Sequence, residues 1–289
     1  MSILIDEHTQ VLIQGITGTV GSFQTRIMCD YGTRVVAGVT PGKGGSQVHG
    51  IPVYDLIQEA TARHRIDAVI SFVPARFARD AALEVIDAGI PLLAWTAEGV
   101  PDQDILKVVR YAAIKGTTVV GPDTPGLVSP GKCKLGVHPN RVLSRGPVGV
   151  LSKSGALSYE VCKALTEQGI GQSTIVGIGG GPLWGLSQEA VLRLFQQDPE
   201  TRAVVLLGEV GGTMEQEAAA YIEKHMDKPV VALIVGRAAP VGSRMGHAGA
   251  IIEGEEGTAA SKIRALKRAG AWIAYRPSEI PRILRQLGV

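Results

Sequence analysis

P-V-V-A-L-I-V (Pro229–Val235) runs without a break into G-R-A-A-P-V-G-S-R-M-G-H-A-G-A-I-I (Gly236–Ile252). The first run is short and continuously apolar, the pattern of a strand buried on both faces of a parallel sheet. The second holds four glycines, which leave little room for a long helix because glycine is costly inside one. His247 therefore sits on a glycine-shaped loop at the carboxyl end of a buried strand, with Arg244 three residues upstream. Open α/β sheets put their chemistry at that end. A solitary histidine is as readily a surface-loop residue without a task, so the rest of the chain has to decide.

The same unit, apolar strand then glycines with a polar group, recurs through the second half. Val148–Leu151 reads as a strand that opens into S-K-S-G-A-L-S-Y-E (Ser152–Glu160) and a helix to about Gln168. Ser154 is a candidate N-cap and Gly155 leaves the first N–H groups uncovered, which suits a phosphate as well as an ordinary capped helix. Ser173–Ile178 is a strand ending in Gly179-Gly180-Gly181-Pro182, and Ala203–Leu207 is another, ending in Gly208-Glu209-Val210-Gly211-Gly212. If these strands are neighbours, Ser154, Glu209 and His247 face one space. Glu209 can then be a structural acid, or the partner of a neutral imidazole nucleophile beside phosphate-binding N–H groups. A helix over Thr258–Ala269, a strand over Ala271–Ala274 and a short helix over Pro277–Leu287 close the chain.

The first half alternates in the same way. Val11–Gln14 is a strand, followed by G-I-T-G-T-V-G (Gly15–Gly21) and a helix to about Tyr31. Strand, glycine turn, helix can cradle a phosphate, although the spacing is G-x-x-G-x-x-G and a plain tight turn has the same look. After the next strand, Arg34–Val39, an NAD site would carry Asp or Glu on the ribose hydroxyls. Here stands T-P-G-K-G-G. Lys43 on that loop suits an extra phosphate, as on coenzyme A or an NADP-type cofactor, unless it is simply solvated. Strands over Ile66–Val73, Pro91–Trp95 and Thr118–Val120, with helices over Phe77–Ala88 and Pro101–Lys115, extend a parallel sheet. Asp123–Gly146 is rich in Pro, Gly and basic residues and has no clean period. The expected organisation is α/β, with a Rossmann-like domain over 1–128, a linker over 129–146 and a doubly wound domain over 147–289.

Composition agrees: 289 residues, 45% hydrophobic and 19% charged, describe a globular chain. A net charge of +2 is too balanced to argue for nucleic acid or a membrane surface. Three cysteines with no C-x-x-C argue for reduced thiols in a cytosol and against a disulfide frame or metal site. No apolar run is long enough to span a bilayer, and the first residues show no secretion signal. A cytoplasmic location is expected.

Several runs together resemble the α subunit of succinyl-CoA synthetase (succinate–CoA ligase). They are M-S-I-L-I-D at the start, V-T-P-G-K-G-G (Val39–Gly45), S-K-S-G-A-L-S-Y-E, G-I-G-G (Gly177–Gly180), G-E-V-G-G (Gly208–Gly212) and R-M-G-H-A-G-A-I-I (Arg244–Ile252). The resemblance spans the chain in order. It implies an N-terminal CoA-binding Rossmann domain and a C-terminal flavodoxin-like domain. It also implies a partner β subunit whose ATP-grasp domain holds ATP or GTP with Mg2+. The chain itself has no G-x-x-x-x-G-K-[ST] loop. The implied reaction joins a dicarboxylate, with succinate expected, to CoA through a phosphohistidine and an acyl phosphate. Carried over by position, His247 is the phosphorylated nucleophile and Glu209 its supporting carboxylate. Ser154 and Gly155 bind the phosphoryl group, and Tyr159 lies at the substrate position. Thr17, Gly18, Thr19, Val20, Lys43, Thr96, Ala97 and Glu98 match the CoA contacts.

The chain departs from the family pattern in clusters. Gly181 replaces the aspartate of G-I-G-G-D-P, Asp123-Thr124 replace Asn-Cys in G-P-N-C-P-G, and V-G-S-R replaces K-G-K-R before M-G-H. These changes spare His247 and Glu209. They keep open a paralogue acting on malate or citrate, and a non-catalytic CoA-sensing subunit. An NADP-dependent oxidoreductase lacks a proton-relay set beside the glycine turn.

Overall fold

In the computed structural model, which describes residues 2–289, two compact units account for the chain. The first comprises Leu4–Asn140 together with Leu183–Gly185, and the second comprises residues 2–3, Arg141–Pro182 and Leu186–Val289.

The first unit contains β1 (Gln10–Gln14), α1 (Thr19–Asp30), β2 (Arg34–Val39), β3 (Gln47–Val48), β4 (Ile51–Tyr54), α2 (Ile57–Thr61) and β5 (Ala68–Ser71). It continues with α3 (Ala75–Asp87), β6 (Leu92–Trp95), α4 (Asp102–Lys115), β7 (Thr118–Val120), β8 (Gly126–Ser129) and β9 (Cys133–Gly136). Strands β4-β2-β1-β5-β6-β7 pair in parallel in that order, with β3 antiparallel on β4. Counting parallel strands in chain order gives 3-2-1-4-5-6, the dinucleotide-binding order, whose switch point lies between β1 and β5. All residues of β5 and β6 are buried, which is why these strands read as continuous apolar runs rather than alternating ones.

Some boundaries differ from the sequence expectation. Strand β5 ends at Ser71 because the chain turns at Pro74, the N-cap of α3. Pro101 is the N-cap of α4 rather than a residue of its first turn. Between residues 40 and 65 the sequence suggested no element, because β3, β4 and α2 are too short to show a period. The stretch 129–146, expected as a linker, holds the turn and second strand of the β8–β9 hairpin, a short helical turn over Asn140–Val142 and the start of the next strand. All eight residues of β8 and β9 are buried, so the hairpin shows neither alternation nor exposed polar composition. The chain leaves the first unit at Asn140.

The second unit contains β10 (Arg145–Ser152), α5 (Gly155–Glu167), β11 (Gln172–Gly177), α6 (Gln188–Gln197), β12 (Ala203–Gly208), α7 (Met214–His225), β13 (Val230–Ile234), α8 (Ala259–Arg268), β14 (Trp272–Ile273) and α9 (Ile280–Gln286). The parallel order β14-β13-β12-β10-β11 is the flavodoxin-like 5-4-3-1-2. Its switch point lies between β10 and β12. The crossover helices α6 and α7 are not among the elements expected from the sequence. For α6 a signal was present: Ser187 accepts the Ala190 N–H at 3.2 Å as its N-cap, and Val191, Leu192 and Phe195 form its buried face. Among the described residues no helix is long and apolar enough to cross a membrane.

Candidate functional site

Strands β12 and β13 are paired from Val204↔Val230 to Gly208↔Ile234, so the loops that follow them leave the sheet side by side. Glu209 is the first residue after β12, and the loop after β13 folds back to bring His247 to it. Nδ1 of His247 lies 2.6 Å from Oε2 of Glu209. The loop is a tight hairpin: Met245 N–H donates to Ala250 C=O at 3.0 Å, Gly242 N–H to Ile252 C=O at 3.1 Å, and Arg244 and Ile251 form an antiparallel bridge. The Glu209 side chain is 8% exposed and that of His247 31%. A carboxylate accepts only, so the ring nitrogen facing it is the donor, and whenever the imidazole is neutral the lone pair is on Nε2.

The ring rests on a glycine. Gly249 N–H donates to Gly180 C=O at 3.1 Å, and a Cβ added at Gly180 would lie 2.2 Å from Cγ of His247. Gly180→Ala is expected to push the imidazole off Glu209. Chemistry that needs this pair should fall about 100-fold, the usual cost of a displacement near 1 Å. A variant crystal structure that keeps the 2.6 Å contact would refute this.

Beneath Glu209 lies a buried ionic cluster that the sequence reading did not single out. Lys153 Nζ meets Glu215 Oε1 at 2.9 Å, and Lys262 Nζ meets Glu215 Oε2. Burial alone would raise the Glu215 carboxyl, but the two ammonium groups outweigh it and hold the acid below the usual carboxylate range. Lys153 was visible only as part of S-K-S-G, and nothing in the local pattern around Glu215 or Lys262 marks either as special.

Ser154 caps α5, its Oγ accepting Leu157 N–H at 3.3 Å, and the first turn from Gly155 has no acidic residue. This N-terminus follows β10, at the same sheet edge as Glu209, and is therefore open to an anion in electrostatic terms. Tyr159 lies one turn further on, half-buried, with its phenol pushed up by burial.

The other predicted set lies in the first unit, at the carboxyl ends of β1, β2 and β6. Gly18 caps α1 without a side-chain bond, and no acid stands in the first turn, where Thr19 and Val20 begin the helix. Gly18 N–H donates to Gly15 C=O at 3.0 Å, and a Cβ at Gly21 would fall 2.1 Å from that oxygen. The turn therefore requires its glycines. Thr17 N–H reaches Thr40 Oγ1 at 3.4 Å. Lys43 is exposed on the loop after β2, as is Glu98 after β6. Thr96 Oγ1 donates to Ser71 C=O at 2.6 Å, and Ala97 C=O accepts Asp123 N–H at 3.0 Å. A cavity of about 570 Å³, lined by Gly15, Thr40, Pro41, Pro74 and Phe77 among others, opens beside the glycine turn. Gln14 Oε1, buried at its wall, has no hydrogen-bond partner among the described residues. Uncapped helix donors, an exposed lysine and an apolar cavity fit a phosphorylated adenosine ligand such as CoA.

Two departures from the family pattern have local explanations. Asp123 has φ +59°, a left-handed conformation that Asn and Asp tolerate best among non-glycine residues. Thr124 is buried and its Oγ1 accepts Gly126 N–H at 2.8 Å, locking the turn before β8. At Gly181 the carbonyl is crowded by Gly249, where a Cβ would lie 2.5 Å from the oxygen. Nothing in the structure explains the missing acid there.

Residues 6–99 match the profile of the CoA binding domain family, and residues 151–272 match that of the CoA-ligase family. The chain is thus a CoA-binding module joined to a CoA-ligase module. It is 52% identical to the α subunit 1 of an ADP-forming succinate–CoA ligase from Archaeoglobus fulgidus, over 99% of this chain and 98% of that one. A counterpart from Methanothermobacter thermautotrophicus is 53% identical, with the same coverage of each chain. An ATP citrate lyase from Methanosaeta concilii, solved with (3S)-citryl-CoA, superposes with a TM-score of 0.88 at 26% identity; 98% of this chain matches 50% of that one. The chain belongs to the succinate–CoA ligase α-subunit family.

Proposed function

We propose that the chain is the α subunit of an ADP-forming succinate–CoA ligase, in which His247 carries a phosphoryl group from a nucleotide held by a β subunit to the acid. One observation carries this reading: the 2.6 Å contact between Nδ1 and Glu209, which leaves Nε2 as the nucleophile. Nε2 attacks the γ-phosphorus of ATP, the bond to the bridging oxygen breaks, and ADP departs. The phosphorylated ring is cationic in character, and the Glu209 carboxylate stabilises it. A succinate oxygen then takes the phosphoryl group, and the imidazole leaves neutral, with its Nδ1–H retained. The CoA thiolate attacks the resulting acyl phosphate at carbon, expelling inorganic phosphate and giving the thioester. Ser154, Gly155 and the start of α5 offer N–H groups to the phosphoryl oxygens, with Tyr159 assigned to the acid. Thr17–Val20, Lys43 and Thr96–Glu98 bind CoA. ATP and Mg2+ belong to an ATP-grasp domain of the β subunit. Three free thiols, Cys29, Cys133 and Cys162, support a reducing cytoplasm.

Succinate is preferred because relatives of about half identity over nearly full length carry that name. The likeness to a citrate enzyme favours a second acid, citrate, at a quarter identity and half that chain's length. The test is direct. The chain, its β subunit and γ-labelled ATP should give base-stable, acid-labile label on His247, none in His247→Asn, and discharge on adding succinate with CoA. Discharge by citrate alone would replace the acid. Label on any other residue would overturn the assignment.

A further inference from the structure

Lys153, Glu215 and Lys262 are 3%, 0% and 0% exposed, and none of them has a role in the reaction as set out above. Their hydrogen bonds converge on one residue. Glu215 Oε1 accepts Glu209 N–H at 3.3 Å as well as Lys153 Nζ and, at 3.5 Å, Gln188 Nε2. Lys262 Nζ donates to Glu209 C=O at 2.8 Å, to Gly211 C=O at 2.5 Å, and to Glu215 Oε2. All three donors of that ammonium are thereby used, and both main-chain groups of Glu209 are tied to the cluster. The three residues come from separate places in the chain: Lys153 directly after β10, Glu215 from the first turn of α7, and Lys262 from α8. Stability is a poor reason for such a cluster. Buried ion pairs are often replaced by apolar residues of similar volume at no cost or with a gain, whereas removing one partner is strongly unfavourable. What these ions do that an apolar cluster could not is hold the polar main chain of Glu209 and Gly211 at fixed points.

We propose that Lys262 and Glu215, braced by Lys153, are positioning residues: they fix the main chain of Glu209, and through it they hold His247 in its Nδ1–H tautomer with Nε2 as the reactive nitrogen. The tautomer half of this stands on the geometry alone. The kinetic half rests on the phosphoryl-carrier reading above.

The experiment uses the full chain labelled with ¹⁵N at histidine, in three forms: wild type, Glu215→Gln and Lys262→Met. Glu215→Gln keeps the shape but cannot accept from Lys262 on its amide nitrogen. Lys262→Met removes all three donors and serves as the second variant if the first does not fold. Both are checked for folding on separate, uniformly ¹⁵N-labelled samples, by the amide spectrum of β10–β13. In the wild type the imidazole nitrogen shifts should report Nδ1–H as the dominant neutral tautomer, and both variants should show substantial Nε2–H. With the β subunit and labelled ATP, phosphoryl transfer to His247 should fall on the order of 10- to 100-fold, as for residues that orient metal-bound histidines. In the wild type alone, the Glu209 amide should exchange with deuterium as slowly as the amides of β12. An unchanged tautomer in a folded variant overturns the proposal, and so does a Glu209 amide that exchanges like an exposed loop. If the tautomer responds but no chain ever takes label, the carrier reading fails while the positioning role stands.

Discussion

Glu209→Gln should slow phosphorylation of His247 by about 10²- to 10⁴-fold in a single-turnover assay while the chain stays folded. The range follows from what an amide does in place of a carboxylate against an imidazole. If the amide oxygen faces Nδ1, the hydrogen bond of 2.6 Å survives but the negative charge opposite the phosphorylated ring is lost. If the amide nitrogen faces Nδ1, it donates, the ring is forced into the Nε2–H tautomer, and the nucleophilic lone pair is gone. The comparable exchange in a serine-protease triad costs about 10⁴-fold. Glu209→Asp keeps the charge but shortens the reach by one methylene, so it should fall between wild type and Gln. A Glu209→Gln chain within threefold of wild type would remove Glu209 from the mechanism.

The second large effect concerns stability, in the first unit. His138 is wholly buried, and burial first, the Lys134 ammonium second, pushes its imidazole down to about 3. An unfolded chain takes up that proton near pH 6.5, while the folded chain refuses it until about pH 3. The unfolded state therefore binds more protons throughout that window. Stability contributed by this group is complete above pH 6.5 and is lost as pH falls towards 3, by about 4 kcal/mol at the lower end. Glu215 acts in the same sense only below its ordinary value of 4.5, because its carboxyl is held low by two ammonium groups. From pH 7 to pH 4.5 Glu215 is silent, and Glu84, whose carboxyl burial raises above its ordinary value, acts in the opposite sense but equally in wild type and variant, so a comparison with His138→Gln singles out the histidine. Over that interval the wild type should lose about 3 kcal/mol more stability than His138→Gln. Urea unfolding of the first unit can be followed by Trp95, which is fully buried there, with Trp184 and Trp272 replaced by Phe. Equal losses in the two proteins would place the acid sensitivity elsewhere.

The central strands of both sheets could be read from the sequence because they are buried on both faces. Ala203–Leu207 and Pro229–Val235 are apolar without interruption, and glycines mark where each run stops. The pairing of Glu209 with His247 followed from one conditional, that β12 and β13 are neighbours, and the register supplies it. What stayed hidden depends on long-range contact. Glu215 and Lys262 lie 47 residues apart, and on their own helices each looks like an ordinary charged residue. The β8–β9 hairpin was hidden for another reason: Lys134, Gly131 and Pro130 give it loop composition, yet its strands are buried. In the sequence Gly180 is one of three consecutive glycines closing a strand, and only the position of the imidazole shows that the ring occupies its missing side chain.

Every strand of the first parallel sheet lies between Gln10 and Val120. A ribosome that has released this segment has already supplied each strand with its neighbours, so the sheet can close before the codon for His247 is reached. At ordinary elongation rates that head start is on the order of ten seconds, long compared with the time most domains of this size need to fold. The half of the molecule assigned to CoA can thus mature, and stop exposing sticky strand edges, while the half with the histidine is still being made.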